Sequence, residues 1–201
     1  MTTFFLIRHG EKDADEQLMV GRTSGIHLTA RGLRQAETIA EALCSCPIQL
    51  VLSSPLERAR ETAAPLAQRK GVEVEVSEAL HEFGFGLWTG KSQCELATMP
   101  GWREFNEFRS GTRPPGGESM LEVQSRFVGG MLRLRTEFPQ GSIALVSHGD
   151  PIRAAICHFL GMPLDLFGRI EISIGSISVM TLSGSGAQLV AMNRVPCADP
   201  A

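Results

Sequence analysis

Phe4-Phe5-Leu6-Ile7-Arg8-His9-Gly10 is an apolar run that closes on a charge, a histidine and a glycine. Far down the chain, Ile143-Ala144-Leu145-Val146-Ser147-His148-Gly149 repeats the pattern. Strands that are apolar at every position, rather than at every second one, are covered on both faces, as in a parallel sheet layered between helices. Ligands of such open sheets bind just beyond the C-terminal strand ends. His9 and His148 would each stand at that rim, and a glycine after each lets the backbone pass close to a ligand. A single strand-end histidine is ordinarily satisfied by backbone; two that end matching strands point to a shared site.

The segments between alternate in the same sense. Leu28 to Leu43 repeats Ala36, Ile39, Ala40 and Leu43 at helical spacing behind Thr29 as a cap. Ile48 to Ser53 is a second buried strand. The next helix is expected to open with Ser54 as cap, Pro55 in the first helical position and Glu57 closing a capping box, and to run to Lys70, where Gly71 stops it. Val72 to Val76 is a short strand, and Glu118 to Phe138 a helix. Ser142 to Ser147 is a strand, and Pro151 to Leu160 a helix closed by Gly161, for which Asp150 is the expected cap. Ile172 to Leu182 and Ala187 to Asn193 read as a closing antiparallel pair. Residues from about Lys91 to Gly117, rich in proline and glycine, form a small helical excursion. The expected architecture is α/β, a three-layer α/β/α stack with a mostly parallel central sheet. It forms one domain over residues 1–193, with a loose tail over 194–201.

Bulk properties narrow the function. The chain has 201 residues, a formal net charge of -3 and a hydrophobic fraction of 43%, enough for one full core. It has no run of basic residues, which argues against nucleic acid or an anionic membrane surface as partner. No stretch is apolar for long enough to cross a bilayer, and the N-terminus lacks the pattern of a secretion signal, so a cytoplasmic protein is expected. The five cysteines include no CxxC pair. They read as reduced thiols, and no metal site is expected of them. No dimer signature stands out, and a homodimer is left open.

Arg58 adds a second chemical clue. It lies in the first turns of the helix after Ser54 and Pro55, where free N–H groups and the helix dipole favour a phosphate and a guanidinium adds a bidentate fork. Read alone, Arg58 would pair with Glu57 or Glu61 on a solvated face.

Taken together, the motifs resemble the histidine phosphatase superfamily, also called phosphoglycerate mutase-like. Leu6-Ile7-Arg8-His9-Gly10 resembles its RHG signature. Gly21-Arg22, Leu28-Thr29, Gly32 and Gln35-Ala36 resemble the loop and helix that follow. Ser53-Ser54-Pro55-Leu56 with Arg58-Ala59 and Thr62-Ala63 resembles a second block. Leu80-His81-Glu82-Phe83-Gly84 with Trp88-Thr89-Gly90 resembles the block that carries the family's acid. Pro115-Gly116-Gly117-Glu118-Ser119 and Val146-Ser147-His148-Gly149 resemble the last two. The blocks run in family order along nearly the whole chain. The resemblance implies a phosphoglycerate mutase-like fold with no cofactor and no metal. It implies His9 as a nucleophile that carries the phosphoryl group and is kept neutral by the nearby arginines. It further implies Arg8, Arg58 and Gly149 at the phosphate, His148 as a further donor, and Glu82 as general acid and then base.

One departure stands out. Many members carry a phosphate-contacting Asn after the RHG, whereas this chain has Glu11-Lys12-Asp13-Ala14-Asp15-Glu16. Its acids would have to face away from the site, with Lys12 as a partial substitute. The short excursion favours a phosphomonoesterase acting on a small phosphorylated metabolite over a phosphoglycerate mutase-type phosphotransferase. A catalytically weak phospho-ligand binding module is the reading from another class, disfavoured because His9, Arg58, Glu82 and His148 are all present. Trp102, Phe105 and Phe108 on the excursion either wall the leaving group or, as their helical spacing more often means, pack.

Overall fold

Period-two burial along the strands sorts the core into two halves. Phe4 and Leu6, Leu50 and Leu52, Ile143 and Leu145, and Met180 and Leu182 face one side, while Phe5, Ile7, Val51, Ala144, Val146 and Ile177 face the other. A sheet apolar on both faces needs a helical layer on each. The computed structural model describes residues 1–197, and in it both layers are present.

The strands are β1 (Thr2–Arg8), β2 (Leu50–Ser53), β3 (Val74–Val76), β4 (Ser142–Ser147), β5 (Ile177–Ser183) and β6 (Gly186–Arg194). They form one sheet in the order β3-β2-β4-β1-β5-β6. The first four are mutually parallel; β5 runs antiparallel to β1, and β6 to β5. Helices α1 (Ala30–Ala42) and α2 (Glu57–Lys70) put Ile39, Ala40, Ala59, Ala63 and Leu66 against one face. Helices α5 (Met120–Glu137) and α6 (Gly149–Leu160) cover the other with Val123, Phe127, Met131, Ile152 and Ile156. The excursion is two short helices, α3 (Gln93–Ala97) and α4 (Trp102–Glu107), at the edge of that second layer. No helix among the described residues is long and apolar enough to cross a membrane.

Several local expectations hold: Thr29 accepts from the Gly32 N–H as the α1 cap, and Gly71 and Gly161 close α2 and α6 in the left-handed conformation. Others need correction. Helix α2 begins at Glu57 with Leu56 in the cap position; the Ser54 hydroxyl, paired with His148 at 2.8 Å, reaches only the Leu56 N–H, at 3.4 Å, and caps no helical residue. Asp150 is not the cap of α6 but lies inside its first turn, drawn to Arg153 at 3.3 Å; His148 holds the cap position. β5 starts at Ile177 rather than Ile172, since the Ile172 carbonyl is taken by the Arg8 side chain and Gly175 turns the chain at φ 70°. β6 continues to Arg194, one residue into the expected tail; residues 198–201 of that tail lie outside the described residues.

Candidate active site

β1 and β4 are neighbours in register, with Arg8 opposite Ser147. The next residue on each strand therefore meets its counterpart, and the His9 and His148 rings lie 5.1 Å apart, edge to face. Both side chains are buried. His9 Nδ1 is 2.7 Å from the Gly10 carbonyl oxygen. A carbonyl only accepts, so Nδ1 carries the proton and Nε2 keeps its lone pair. The His9 imidazolium is disfavoured down to about pH 3, first by burial, then by the charge of Arg58, with smaller effects from Arg8 and Lys12. Burial therefore outranks the arginine repulsion that the sequence suggested as the cause.

The two arginines reach this point from different elements. Arg58, 1% exposed, extends from the first turn of α2 and donates from Nη2 to the Gly21 carbonyl at 2.8 Å. It makes no pair with Glu57 or Glu61. Arg8, at the end of β1, donates from Nη1 to the Ile172 carbonyl at 2.5 Å. The Nε of each guanidinium is buried with no partner among the described residues. The Arg8 guanidinium packs beside Gly149, where a Cβ would lie in ordinary contact at 3.4 Å from Arg8 Cζ. Gly10 is needed for close approach: a Cβ there would come within 2.7 Å of the Gly32 carbonyl oxygen. The Gly10 N–H donates to Thr62 Oγ1 at 3.0 Å, and the Thr62 hydroxyl donates to the Arg58 carbonyl at 2.7 Å. Thr62 thus ties the turn after His9 to the helix that carries Arg58.

Glu82 follows the short helical turn Glu78–Leu80, which Ser147 pins by donating from its hydroxyl to the Leu80 carbonyl at 2.7 Å. Glu82 Oε1 accepts from the Phe83 N–H at 2.7 Å, and Oε2 lies 3.7 Å from His148 Nδ1. Burial first, and then the Asp150 charge, push the Glu82 carboxyl up to about 7. His148 is held neutral well below its ordinary range, mainly by burial and then by His9 and Arg58. Its Nε2 is paired with Ser54 Oγ at 2.8 Å, and its Nδ1 is buried without a partner.

The acids after His9 do not all turn from the site, since Glu16 and Asp15 act on Lys12 beside Arg58 and Arg8. Glu11 accepts from Thr29 Oγ1 at 2.8 Å and pairs with Arg31 at 3.0 Å, while Asp13, Asp15 and Glu16 are exposed. Lys12 stays close to the cluster: burial, Arg58 and Arg8 lower its pKa, and Glu16 and Asp15 oppose them.

A cavity of about 290 Å³ opens beside Arg8, Glu82 and Gly149. Leu18, Met19, Val20 and Phe85 form its apolar wall, and Gln93, Asp150 and Arg153 its polar end. The excursion aromatics do not line it. Phe105 is core, packed on Phe83 and Trp88, and Phe108 is 51% exposed. A larger concavity, about 620 Å³, lies beside Arg22, Phe85 and Glu118 and touches neither Arg8 nor Glu82, both of which line the smaller one. Sequence reasoning gave Ser54 only a helix-capping role, and none to Thr62, Gln93 or Arg153. Their signal lay in which strands and helices become neighbours, which local spacing does not carry.

The sequence pattern described as the histidine phosphatase superfamily (branch 1) matches residues 4–195. Phosphoserine phosphatase 1 of Hydrogenobacter thermophilus is 31% identical over 189 residues, covering 90% of this chain and 86% of the relative. A probable phosphoglycerate mutase of Salmonella choleraesuis is 35% identical over 184 residues, covering 89% and 84%. Among solved structures, a mutant phosphoserine phosphatase of Entamoeba histolytica in complex with phosphoserine superposes with a TM-score of 0.88 at 27% identity, covering 97% of this chain and 98% of that one.

Proposed function

The chain belongs to the histidine phosphatase superfamily and is a phosphomonoesterase, and from that premise we propose that His9 Nε2 is its nucleophile and Glu82 its proton donor. The observation that carries the reading is the Nδ1–H bond from His9 to the Gly10 carbonyl. It leaves the Nε2 lone pair free in a buried site with Arg8 and Arg58 at hand. Nε2 attacks phosphorus, the N–P bond forms as the P–O ester bond breaks, and the Glu82 carboxyl gives its proton to the departing alkoxide. Water then attacks phosphohistidine. The Glu82 carboxylate takes its proton, the new P–O bond forms, and the N–P bond breaks to return neutral His9.

Charge build-up on the nonbridging oxygens is met by the free Nε–H groups of Arg8 and Arg58 and by N–H groups at the start of α6, Gly149 included. If the Ser54 hydroxyl donates to His148 Nε2, then Nδ1 of His148 carries the proton and adds a donor on the Glu82 side. Lys12 takes the place of the family's missing Asn.

The cavity suits a small leaving group with a polar end. Phosphoserine, bound by one structural relative, is the compound to try first. Hydrolysis is favoured over transfer because only the two short helices α3 and α4 stand between the acid loop and α5, little chain with which to exclude water. The free state of all five cysteines supports a cytoplasmic place for the enzyme.

The test is to quench a reaction with labelled phosphoserine and look for acid-labile phosphate on His9. Label on His9 and its loss in His9→Ala are expected. A fully active His9→Ala enzyme would refute the mechanism.

A further inference from the structure

The Pro115–Ser119 stretch has no part in the mechanism above, yet the structure presses it against the segment that carries Glu82. The Glu118 N–H donates to the Gly84 carbonyl at 2.8 Å, and the Leu87 N–H donates to the Pro115 carbonyl at 2.9 Å. The backbones are too close for side chains. A Cβ on Gly117 would lie 2.5 Å from the Gly84 carbonyl oxygen, and one on Gly86 would lie 2.3 Å from the Pro115 carbonyl oxygen. The contact is therefore main chain to main chain, the kind least able to slide.

The Glu118 side chain completes the contact. Its Oε2 accepts from Arg22 Nη2 at 2.7 Å, and its Oε1 accepts from Arg126 Nε at 3.0 Å. Both arginines then turn to one atom: the Glu82 carbonyl oxygen accepts from Arg22 Nε at 2.8 Å and from Arg126 Nη2 at 3.1 Å. Glu118 Oε2 also receives the Gly84 N–H at 3.3 Å. Arg126 reaches further, to the Ala79 carbonyl at 2.9 Å. One carboxylate thus organises two guanidinium groups from separate elements, and these grip the backbone on both sides of Glu82. Glu118 and Arg126 are mostly buried, so the ion pairs are less screened than surface ones.

We propose that Glu118, acting through Arg22 and Arg126, is a positioning residue that holds Glu82 in proton-transfer geometry with the leaving oxygen. The inference rests on Glu82 being the general acid. The clamp acts on the main chain, so it sets where the carboxyl sits without touching substrate. It matters only for esters whose leaving group needs a proton, and a displacement of about an ångström there costs on the order of 100-fold.

The experiment compares kcat/KM for phosphoserine and for p-nitrophenyl phosphate, whose leaving group needs no proton. The variants are Glu118→Gln, Glu82→Gln and the double variant. The quantity kcat/KM covers steps up to transfer to His9, so the later hydrolytic role of Glu82 does not enter. Glu118→Gln is expected to lose about 10- to 100-fold on phosphoserine, with at most a small loss on the nitrophenyl ester. It should add little to the loss already present in Glu82→Gln. Arg22→Gln, at a more exposed position, should show a weaker loss with the same ester preference, and it covers the case of a Glu118 variant that folds poorly. Equal losses on both esters in Glu118→Gln and Arg22→Gln, or a full extra loss in the double variant, would overturn the clamp while leaving Glu82 as the acid. Equal losses on both esters in Glu82→Gln itself would remove the acid assignment, and the clamp with it.

Discussion

Replacing Glu82 with Gln removes the one carboxyl whose titration should govern the alkaline side of the rate profile. Burial, followed by the Asp150 charge, raises that carboxyl to about 7. With such a pKa the protonated fraction is about 0.9 at pH 6 and about 0.1 at pH 8. Gln does not titrate here. The ratio of kcat/KM for wild type over Glu82→Gln, measured on phosphoserine, therefore isolates this proton, and the substrate's own ionisation near pH 6 cancels because both enzymes see the same ester. The ratio should form a plateau of about 100 to 10,000 below pH 6, the usual worth of a positioned general acid. It should then fall about tenfold between pH 6 and pH 8. His9, neutral down to about pH 3, adds no second limb over this range. Asp150→Asn should shift the fall toward acid, because it removes the second cause of the raised pKa. Steady-state assays in constant-ionic-strength buffers suffice. A ratio that does not change with pH, or one that rises above pH 7, would refute the assignment of Glu82 as the protonated donor.

The same shift has a stability cost with a defined sign. Glu82 keeps its proton in the fold to about pH 7 but would lose it near 4.5 when unfolded, so stability falls as pH rises through that window. Glu82→Gln should then gain up to about 3 kcal/mol over wild type at pH 8 and much less at pH 5 by urea unfolding; an equal effect at both pH values would contradict this. Arg58→Lys keeps a charge but loses the fork geometry, so kcat/KM should drop about 100-fold and competitive inhibition by inorganic phosphate should weaken with it. Retained phosphate inhibition would place Arg58 outside the phosphate site. Gly10→Ala puts a Cβ 2.7 Å from the Gly32 carbonyl oxygen; thermal unfolding should report a loss of about 1–3 kcal/mol, and wild-type stability would mean that the turn is looser than this spacing allows.

Much of this layout was legible in the residues. Continuous apolar runs marked the central strands, and Thr29, Gly71 and Gly161 marked helix ends where they were expected, because those signals act within one turn of chain. The misreadings came chiefly from partners that spacing does not show. Ser54, Glu57 and Asp150 all have the spacing of helix caps, and none caps. Ser54 is drawn to His148, a partner that arrives only when distant segments pack, and Asp150 to Arg153, one turn along a helix that already begins at Gly149. The Ile172 end of the last apolar run fails as strand for the same reason, since Arg8 holds its carbonyl. Phe105 is core and Phe108 is exposed although both sit on the excursion, and helical spacing alone could not divide them.

The sequence by itself determined part of the chemical inventory, two His-Gly strand ends with Arg8 and Arg58, while the acid at Glu82 came only through the resemblance of its block to the family's. The strand ends and the arginines follow from residue type and local period, which the chain carries wherever it goes. Tertiary structure alone decided that β1 and β4 lie side by side, bringing His9 and His148 ring to ring. It also decided which His9 nitrogen is free, that burial more than the arginines keeps His9 neutral, and that Glu82 titrates near 7. Protonation depends on desolvation and on charges brought close through space, and these exist only once the strands are paired and the helices are laid over them.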